Sequence, residues 1–420
     1  MSLSCLQLEV LFSHEEVDHL MESKKNIDQI VERANAVLMH TYARTPVAFQ
    51  KGQGCRVWDQ DGRVYLDFLA GIAVTALGHS HPRVVESLKE QSEKILHTSN
   101  LYHIEPQIAL AEQLVAHSFA DQIFFCNSGT EANEGAIKLA RRFSIEKFGP
   151  RKTTILCMQN SFHGRTLGSL SATGQEKFQK GFGPLVPGFS FVPFNDLPAL
   201  DQKWDDSVCA VFMEPVQGEG GIRVPDQDYL KEVKKRCRER QALLILDEVQ
   251  TGLGRTGTLF AHEQFDCQPD IMTLAKALGN GLPIGALMTT GEVAQAFQPG
   301  THAATFGGNP LVTAVACTVL KIISEEGFLA RVRQTGAYFR EGLKILKDEF
   351  PQAIEVRGIG LLLGLALDRP GKPLVEACLD QGFLINCTQD TVLRFTPPLI
   401  VEKEEIDALI KVLRELLRKN

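Results

Sequence analysis

The stretch ALLILDE, residues 242–248, is a short apolar run that ends in two carboxylates. Six similar runs occur elsewhere in the chain: QIFFCN (122–127), KTTILCM (152–158), FSFVPF (189–194), VCAVFMEP (208–215), DIMTLAK (270–276) and GALMTT (285–290). Amphipathic, helix-like stretches alternate with these runs. Uniformly apolar strands separated by helices indicate a mostly parallel sheet with both faces covered. The sequence therefore predicts an α/β fold.

The segments on either side of this region have a different pattern. Residues 47–74 alternate in polarity between turn signals, which predicts a small antiparallel meander. Beyond residue 310 the pattern predicts two long helices, two strand-like runs at 360–367 and 382–386, and a final amphipathic helix. A length of 420 residues also favours two domains.

The composition excludes several classes of protein. The chain has 44 Lys and Arg against 51 Asp and Glu, a net charge of −7, with no long basic run, so a nucleic-acid partner is not expected. No apolar run approaches the ~20 residues that a membrane span needs, so no membrane partner is expected either. The N-terminus lacks the features of a secretory signal.

The cysteines and histidines point to neither disulfides nor metal. Ten cysteines are scattered along the chain, several of them in apolar runs, which favours reduced thiols and a cytoplasmic location. The one tight histidine pair, His79 and His81, lacks acidic or cysteine neighbours. No metal site is therefore predicted.

Polar residues that follow the apolar runs are the candidates for chemistry, because ligands bind at the carboxyl ends of the strands in an open parallel sheet. Residues 128–130 (Ser-Gly-Thr) form a turn that opens a helix, where free N–H groups favour an anion such as phosphate. Asp247 ends its run, where a buried carboxylate needs a cationic partner. Lys276 closes DIMTLA, where desolvation would lower the pKa of the amine and make it a nucleophile.

Each candidate also has a purely structural interpretation. The turn at 128–130 is compatible with an ordinary helix cap, Asp247 with an ion pair to an arginine, and Lys276 with a surface side chain. GLGRTG (252–257) matches the spacing of a dinucleotide-binding loop, but no acid ends the next strand as that motif requires. The combination of phosphate cradle, carboxylate and lysine is what pyridoxal phosphate requires: the lysine carries the aldehyde, and the acid keeps the ring nitrogen protonated.

Six motifs in order then resemble the class III, ornithine-type aminotransferases, and the resemblance runs from about Tyr42 to the C-terminus. They are NSGTEAN (127–133), FHGRT (162–166), EPVQGEGG (214–221), DEVQTGLGRTG (247–257), LAKALGNGLPIGA (274–286) and TFGGNPL (305–311). Four further stretches are similar to the branch that acts on acetylated ornithine: RVWDQDG (56–62), GIAVTALGHSHP (71–82), VRGIGLLLG (356–364) and LRFTPPL (393–399).

The resemblance implies how the cofactor is held. Lys276 would bind its aldehyde covalently and move a proton between it and the substrate, Asp247 would pair with the ring nitrogen, and Gln250 would lie near the phenolic oxygen. The remaining residues implied to bind the cofactor are Phe162 and Val249 on the two ring faces, Gly129 and Thr130 at the phosphate, Glu248, and Thr305 from the partner subunit. The protein would then be a homodimer with shared active sites.

The resemblance also implies how substrates are held. Arg165 and Arg394 would bind the substrate carboxylates, and Glu219 would pair with the second arginine when an amine end is presented. Ala304 stands where many relatives carry a hydroxyl residue, which removes one possible substrate hydrogen bond. Asn280 replaces a common glycine and is expected to affect only a loop, because asparagine tolerates positive φ.

The implied activity is transfer of the δ-amino group of N2-acetyl-L-ornithine to 2-oxoglutarate, giving N-acetyl-L-glutamate 5-semialdehyde and L-glutamate in arginine biosynthesis. Ornithine, succinylornithine, succinyl-diaminopimelate, acetyl-lysine and 4-aminobutyrate stay open as donors. A nicotinamide-dependent oxidoreductase and a cofactor-binding protein without turnover are the alternatives from other classes.

The implied fold is the aminotransferase type I fold, a large domain around a mostly parallel sheet and a smaller α+β domain from both chain ends. We expect an N-terminal extension and helix at 1–40, a segment joining the small domain at 41–80, the large cofactor-binding domain at 81–312 and the C-terminal small domain at 313–420.

Overall fold

The computed structural model describes residues 14–419, with side chains described from residue 26 onward. The strands are β1 (Phe49–Gln53), β2 (Arg56–Asp59), β3 (Val64–Asp67), β4 (Gln122–Cys126), β5 (Thr154–Met158), β6 (Phe189–Val192), β7 (Val208–Met213), β8 (Leu243–Asp247), β9 (Ile271–Leu274), β10 (Gly285–Thr289), β11 (Ala353–Ile359), β12 (Leu362–Leu367), β13 (Phe383–Leu384), β14 (Asn386–Thr388) and β15 (Val392–Phe395).

The helices are α1 (His14–Val37), α2 (Ala70–Ala73), α3 (Pro82–Ser92), α4 (Glu105–Ala116), α5 (Gly129–Phe148), α6 (Leu167–Ala172), α7 (Glu176–Gln179), α8 (Leu197–Lys203), α9 (Tyr229–Glu239), α10 (Gly291–Ala294), α11 (Pro310–Ile323), α12 (Phe328–Glu349), α13 (Lys372–Asp380) and α14 (Lys403–Lys419). Two 3₁₀ turns lie at Ala261–Phe265 and Lys276–Gly279.

Seven strands form the central sheet, in the order β4-β10-β9-β8-β7-β5-β6. Each corresponds to one of the seven apolar runs, so the predicted α/β fold with a mostly parallel sheet is confirmed. β9, β8, β7, β5 and β6 pair in parallel, whereas β10 is antiparallel to both β4 and β9.

Helices cover both faces of this sheet, which explains why its strands are mostly apolar and do not alternate in polarity. Ile245 and its face-mates pack with Leu139 of α5, while Leu244 and its face-mates pack with Val233 of α9. Successive strand residues therefore enter different cores. β7, β8 and β10 are buried along their whole length.

Two smaller four-stranded sheets contain the remaining strands. β1, β2 and β3 form the predicted antiparallel meander, and β13 joins it in parallel, with Phe383 opposite Leu66. The other sheet has the order β11-β12-β15-β14 and is antiparallel throughout. The single strand expected at 382–386 is thus divided between two sheets, while the predicted domain boundaries stay a prediction.

Three predicted site positions lie at one edge of the central sheet. Ser128 follows β4, Asp247 ends β8 and Lys276 follows β9. β8 and β9 are neighbours in parallel register, with Asp247 opposite Thr273. The carboxyl edge of the sheet is therefore where the polar residues meet.

The stretch GLGRTG (252–257) forms a loop of turns and opens no helix. Arg255 within it is buried, and its Nη1 donates to the carbonyl oxygens of Leu361 at 2.9 Å and Pro397 at 2.6 Å. These bonds fasten the loop to the C-terminal part of the chain. The dinucleotide-loop interpretation of this stretch is therefore wrong.

Membrane spans, disulfides and metal clusters are absent from the part of the chain that the structure describes. In that part, no helix is long and apolar enough to cross a membrane. Its nine cysteines are free thiols. Nor do three or more His, Cys, Asp or Glu side chains in residues 26–419 gather in a way that could hold a metal ion.

Candidate active site

A cavity of about 420 Å³ lies at the carboxyl edge of the central sheet, within the size range of small-molecule sites. Nine of the predicted site residues line it: Gly129, Thr130, Phe162, Arg165, Glu219, Asp247, Val249, Gln250 and Lys276. Glu248, Ala304, Thr305 and Arg394 lie elsewhere.

Asp247 is held in a fixed orientation at the floor of this cavity. It is 4% exposed, and its Oδ2 accepts a hydrogen bond from Nδ2 of Asn133 at 2.8 Å and lies 2.8 Å from Nδ1 of His163. Its Oδ1 accepts a bond from the backbone N–H of Val249 at 3.0 Å. A carboxylate with this many hydrogen-bond partners is fixed in position, which suits a partner for a protonated ring nitrogen.

The two side chains that hold Asp247 are themselves fixed. Asn133 donates to the carbonyl of His163 at 2.7 Å and accepts from Oγ1 of Thr273 at 2.7 Å. The His163 ring stacks on Phe212, with centroids 3.9 Å apart. Sequence reasoning missed both residues as site components, although NSGTEAN and FHGRT contain them.

Lys276 begins the 3₁₀ turn after β9 and has a positive φ of 41°. This left-handed conformation is unusual for a lysine and costs on the order of 1–3 kcal/mol, so the surroundings must impose it. Burial lowers the pKa of its ammonium, an effect that the nearby carboxylates of Glu219, Asp247 and Glu214 partly offset. A less basic amine at the cavity wall is suited to act as a nucleophile and proton carrier.

The turn before α5 combines a helix cap with a cavity wall. Ser128 is the N-cap, and its side chain accepts from the N–H of Glu131 at 3.3 Å, so the structural interpretation of this serine is correct. Gly129 and Thr130 line the cavity in the first turn of the helix. A Cβ at Gly129 would lie 2.7 Å from Cγ1 of Val249, so only glycine fits there.

The cavity is also lined by two apolar side chains, Phe162 and Val249, and by the polar side chain of Gln250. Phe162 makes an edge contact with Phe178, with centroids 5.8 Å apart. Among the described residues, Oε1 of Gln250 has no hydrogen-bond partner although it is buried. An unused acceptor at the wall of a cavity indicates a bound group.

Glu214 is a further cavity residue that the sequence did not reveal. It is 6% exposed, and its two oxygens accept from the backbone N–H groups of Gly218 and Phe162, each at 3.1 Å. Burial, followed by the charge of Asp247, raises its pKa to about 8. Glu214 therefore ties the loop of Glu219 to the loop of Phe162.

Glu219 and Arg394 form a closed ion pair. Nη1 of Arg394 donates to Oε1 of Glu219, and Nε of Arg394 donates to Oδ1 of Asn386 at 3.1 Å. Burial raises the pKa of Glu219, but the charge and hydrogen bond of Arg394 outweigh it and the net shift is downward. Arg394 is 1% exposed and lies outside the cavity wall, to which Glu219 belongs.

In contrast to Arg394, Arg165 is exposed and lines the cavity. Its guanidinium carbon lies 4.0 Å from the ring centroid of Phe178 and 5.5 Å from that of Phe162. No carboxylate among the described side chains forms a salt bridge with it. The guanidinium is therefore oriented by aromatic rings and available for an anion.

Ala304 and Thr305 are not brought into this cavity. They line a separate depression with Ser99, Asn100 and Leu101, and Thr305 is exposed. Within one chain, Ala304 and Thr305 are therefore separated from Gly129 and Thr130, the residues predicted to bind the phosphate. The prediction that Thr305 acts from a partner subunit stays a prediction.

The side chain of Glu248 faces away from the cavity. Its carboxylate accepts from the N–H groups of Ala261 at 2.6 Å and His262 at 2.9 Å, and lies 2.9 Å from Nδ1 of His262. Both oxygens are thus already held on the far side of β8, because successive residues at a strand end point in opposite directions. This arrangement gives the Glu248 side chain a structural role, and the contact of this residue with a cofactor stays a prediction.

Comparison with known proteins places this site in a family. The family model for class-III aminotransferases matches residues 37–417, so the chain belongs to the class-III aminotransferases. These enzymes depend on pyridoxal phosphate, and the chain is a pyridoxal-phosphate-dependent aminotransferase.

Individual relatives show which members of this family the chain is similar to. The chain is 52% identical to the acetylornithine aminotransferase of Caldanaerobacter subterraneus, over 90% of this chain and 97% of the relative. It is also 52% identical to that of Methanocaldococcus jannaschii, over 90% and 95%. Among solved structures, it resembles the ornithine aminotransferase of Toxoplasma gondii (TM-score 0.90, 35% identity, 94% and 95% coverage). It also resembles the N-acetylornithine aminotransferase of Stenotrophomonas maltophilia (TM-score 0.80, 40% identity, 90% and 97% coverage).

The residues of the cavity fit pyridoxal phosphate. The helix N-terminus at Gly129 suits a phosphate, the carboxylate of Asp247 suits a pyridinium nitrogen, and Lys276 suits an aldehyde. The unused acceptor of Gln250 suits a ring hydroxyl. The cavity thus offers a separate matching residue for each of these groups of the cofactor.

Proposed function

We propose that the protein transfers the δ-amino group of N2-acetyl-L-ornithine to 2-oxoglutarate, giving N-acetyl-L-glutamate 5-semialdehyde and L-glutamate. One observation carries the proposal: Glu219 occupies Arg394 while Arg165 stays open at the cavity. A site with one open and one closed arginine suits a donor with one carboxylate and an acceptor with two. The acetylornithine aminotransferases that the chain is similar to support this choice.

The chemistry at the reacting carbon rests on two residues. Pyridoxal phosphate, when bound, supplies an electron-withdrawing ring that stabilises negative charge on the substrate carbon. Lys276, with its lowered pKa, takes the proton from that carbon and returns it at the next stage. Asp247 keeps the ring nitrogen charged throughout, since its carboxylate is fixed by Asn133 and His163.

Substrate recognition rests on the two arginines. Arg165 would bind the carboxylate of acetylornithine, because a guanidinium matches a carboxylate in both charge and geometry. The closed Glu219–Arg394 pair would present a neutralised surface to the amine end of this donor. With 2-oxoglutarate, Glu219 would turn away and Arg394 would bind the carboxylate next to the keto group.

The same proposal includes a homodimer. Thr305 is exposed and lies in a separate depression, and Phe306 beside it is 61% exposed. An exposed aromatic next to a proposed phosphate ligand fits a segment that contacts a second subunit. Mixing inactive Lys276→Ala subunits with inactive Thr305→Val subunits is expected to restore part of the activity, because one hybrid site carries neither change; no recovery after verified exchange would contradict the shared site.

We also propose a cytoplasmic location. The nine free cysteines of the described part of the chain suit a reducing compartment.

Donor preference tests the proposed substrate. Free ornithine brings an extra ammonium toward Arg165, and 4-aminobutyrate lacks the acylamino group. A like-charge contact or an unpaired arginine costs roughly 1–3 kcal/mol, about 5- to 150-fold in specificity. We expect kcat/KM to fall at least about tenfold from acetylornithine to ornithine, and further for 4-aminobutyrate.

The assay compares acetylornithine, succinylornithine, ornithine and 4-aminobutyrate at matched concentration in single turnovers followed by visible absorbance. Ala304, in place of a hydroxyl residue, leaves succinylornithine as the second candidate donor. A preference for free ornithine would overturn the proposed substrate and leave the transaminase intact.

A further inference from the structure

The hairpin that carries Arg394 also contacts the loop that carries Glu219. β14 and β15 are antiparallel, with Asn386 opposite Arg394. In the turn between them, Gln389 has a positive φ of 49° and Asp390 a positive φ of 59°. Two consecutive left-handed residues without glycine are uncommon, and such conformations persist only where the surroundings fix them.

Two side chains of this hairpin converge on one backbone oxygen. Oγ1 of Thr388 donates to the carbonyl of Glu219 at 2.6 Å, and Nε2 of Gln389 donates to the same oxygen at 2.9 Å. Both acceptor positions of that carbonyl are therefore used. We call this pair of donors the Thr388–Gln389 latch. It connects the main chain of Glu219 to the strand pair that also carries its ionic partner.

The latch belongs to a wider network of hydrogen bonds around the loop of Glu219. Nε2 of Gln389 also lies 3.2 Å from Oε1 of Gln175, whose own amide donates to the carbonyls of Asn160 and Ser161 at 3.2 Å each. On the other side of Glu219, Nη1 of Arg357 donates to the carbonyl of Gly221 at 3.1 Å. The loop that carries Glu219 is thus fixed on both sides.

A fixed main chain favours the closed ion pair over the open state. Arg394 is buried and its guanidinium is held by Asn386, so a shift of the Glu219 main chain would change the distance between the two charged groups. The open state makes no such demand, because the carboxylate then needs only to leave. Holding the carbonyl in place removes freedom that the open state would otherwise gain.

We propose that Thr388 and Gln389 are positioning residues that set the balance between the closed and open forms of the Glu219–Arg394 pair, and with it the balance between the two substrates. This inference rests on the proposed function, in which the donor uses the closed pair and the dicarboxylate uses the open one. Loosening the latch then affects the two substrates in opposite directions.

The test uses Thr388→Val, which removes one donor at nearly constant shape, and Thr388→Ser, which keeps it. In the holoenzyme, the dissociation constant of glutarate, a dicarboxylate without a keto group, is measured by calorimetry. The kcat/KM of the acetylornithine half-reaction is measured by stopped-flow absorbance. We expect Thr388→Val to tighten glutarate binding and to lower the donor kcat/KM, each roughly threefold to tenfold, the range of one hydrogen bond. Thr388→Ser should restore both.

Two further variants isolate the effect. Gln389→Asn tolerates the left-handed backbone but shortens the side chain, and it should shift both quantities in the same directions as Thr388→Val. Thr258→Val removes a comparable bond, from Oγ1 to the carbonyl of Phe260 at 2.7 Å, away from the latch, and should leave both unchanged. Should Thr388→Val not fold, Gln389→Asn alone decides.

If Thr388→Val weakens glutarate binding and also lowers the donor kcat/KM, or changes neither, the proposed role of the latch is overturned. A general structural defect would give the first result, because it has no reason to favour the dicarboxylate. Absence of any acetylornithine half-reaction in the unmodified enzyme instead overturns the proposed function. Glutarate binding then decides the latch by itself: tighter binding by Thr388→Val supports it, and equal or weaker binding contradicts it.

Discussion

The two ends of the cavity are built in different ways. At the ring-nitrogen end, Asp247 is buried and held by Asn133, His163 and a backbone N–H. At the substrate end, Arg165 is exposed on a loop, and Arg394 is occupied by Glu219. The first end binds the cofactor ring, which is common to both half-reactions, so its groups can be fixed. The second must accept in turn two substrates of different charge, so one of its groups has to be displaceable.

Lys276 stands between the two ends, and its removal has the largest expected effect. Lys276→Ala should lower turnover by about 10⁴-fold or more, because the residue supplies both covalent attachment and proton transfer. The fold should be retained, since the turn needs no charge. Steady-state rate and thermal melting check this, with Lys321→Ala, an exposed lysine on α11, as the control that should behave normally. Near-normal turnover in Lys276→Ala would remove the lysine from the mechanism.

Asp247→Asn tests the fixed end. We expect a loss of roughly 10²- to 10⁴-fold in both half-reactions, because an amide cannot keep the ring nitrogen protonated while the contact with His163 is weakened. Both substrates should be affected equally, since the ring is common to both. The measurement is the single-turnover rate with each substrate, alongside melting. A folded variant whose rates differ between the two substrates would contradict the separation of the two ends.

The arginines test the displaceable end, with smaller and unequal effects. Arg165→Ala should raise KM for acetylornithine about 10- to 100-fold, the range for losing hydrogen bonds to a charged group. Arg394→Ala should mainly impair the 2-oxoglutarate half-reaction by a similar factor. Separate half-reaction kinetics for each variant give the answer. Equal losses for both substrates in both variants would show that neither arginine is selective.

Glu214 lies between the loops of the two ends, and its substitution should affect stability more than rate. Its pKa, raised to about 8 by burial and then by Asp247, means that the folded state keeps a proton that the unfolded state releases above its ordinary pKa of 4.5. This contribution to stability is present in full below pH 4.5 and is lost as pH rises toward 8. Glu214→Gln should therefore flatten the fall in the free energy of unfolding between about pH 5 and 8, by up to about 1.4 kcal/mol per pH unit.

Chemical denaturation of the holoenzyme at several pH values measures this slope. If the free energy of unfolding varied with pH in the same way for the wild type and Glu214→Gln, Glu214 would be ionised in the folded state and the expectation would be wrong. Because the amide keeps one acceptor for the N–H groups of Gly218 and Phe162, turnover is expected to change less than tenfold.

The central sheet could be predicted from the sequence because every strand in it is covered by helices on both faces. Continuous apolar runs that alternate with helices are typical of such a sheet. The reversed direction of β10 could not be predicted, since strand composition does not encode direction. β11 and β15 were missed for another reason: β11 is exposed at two positions and β15 has only four residues, so neither gives a strong periodic signal.

The candidate site, like the fold, could be predicted from the sequence only in part. Residues at or just after the end of a strand, such as Asp247 and Lys276, could be predicted from the sequence. Asn133 and His163 were not, because they reach Asp247 across 114 and 84 residues of chain, and only the fold brings them together. The direction of the Glu248 side chain could not be predicted either, because adjacent positions in a strand point to opposite sides of the sheet.

The identity of the residue that carries the cofactor is the central claim, and it can be measured directly. Purified enzyme with pyridoxal phosphate is reduced with borohydride, digested, and mapped by mass spectrometry, with Lys276→Ala treated in parallel. We expect the phosphopyridoxyl group on the peptide that contains Lys276, and no stable label in the variant. Labelling of a different lysine in the wild type, or equal labelling of the Lys276→Ala variant, would contradict the assignment of this cavity as the active site.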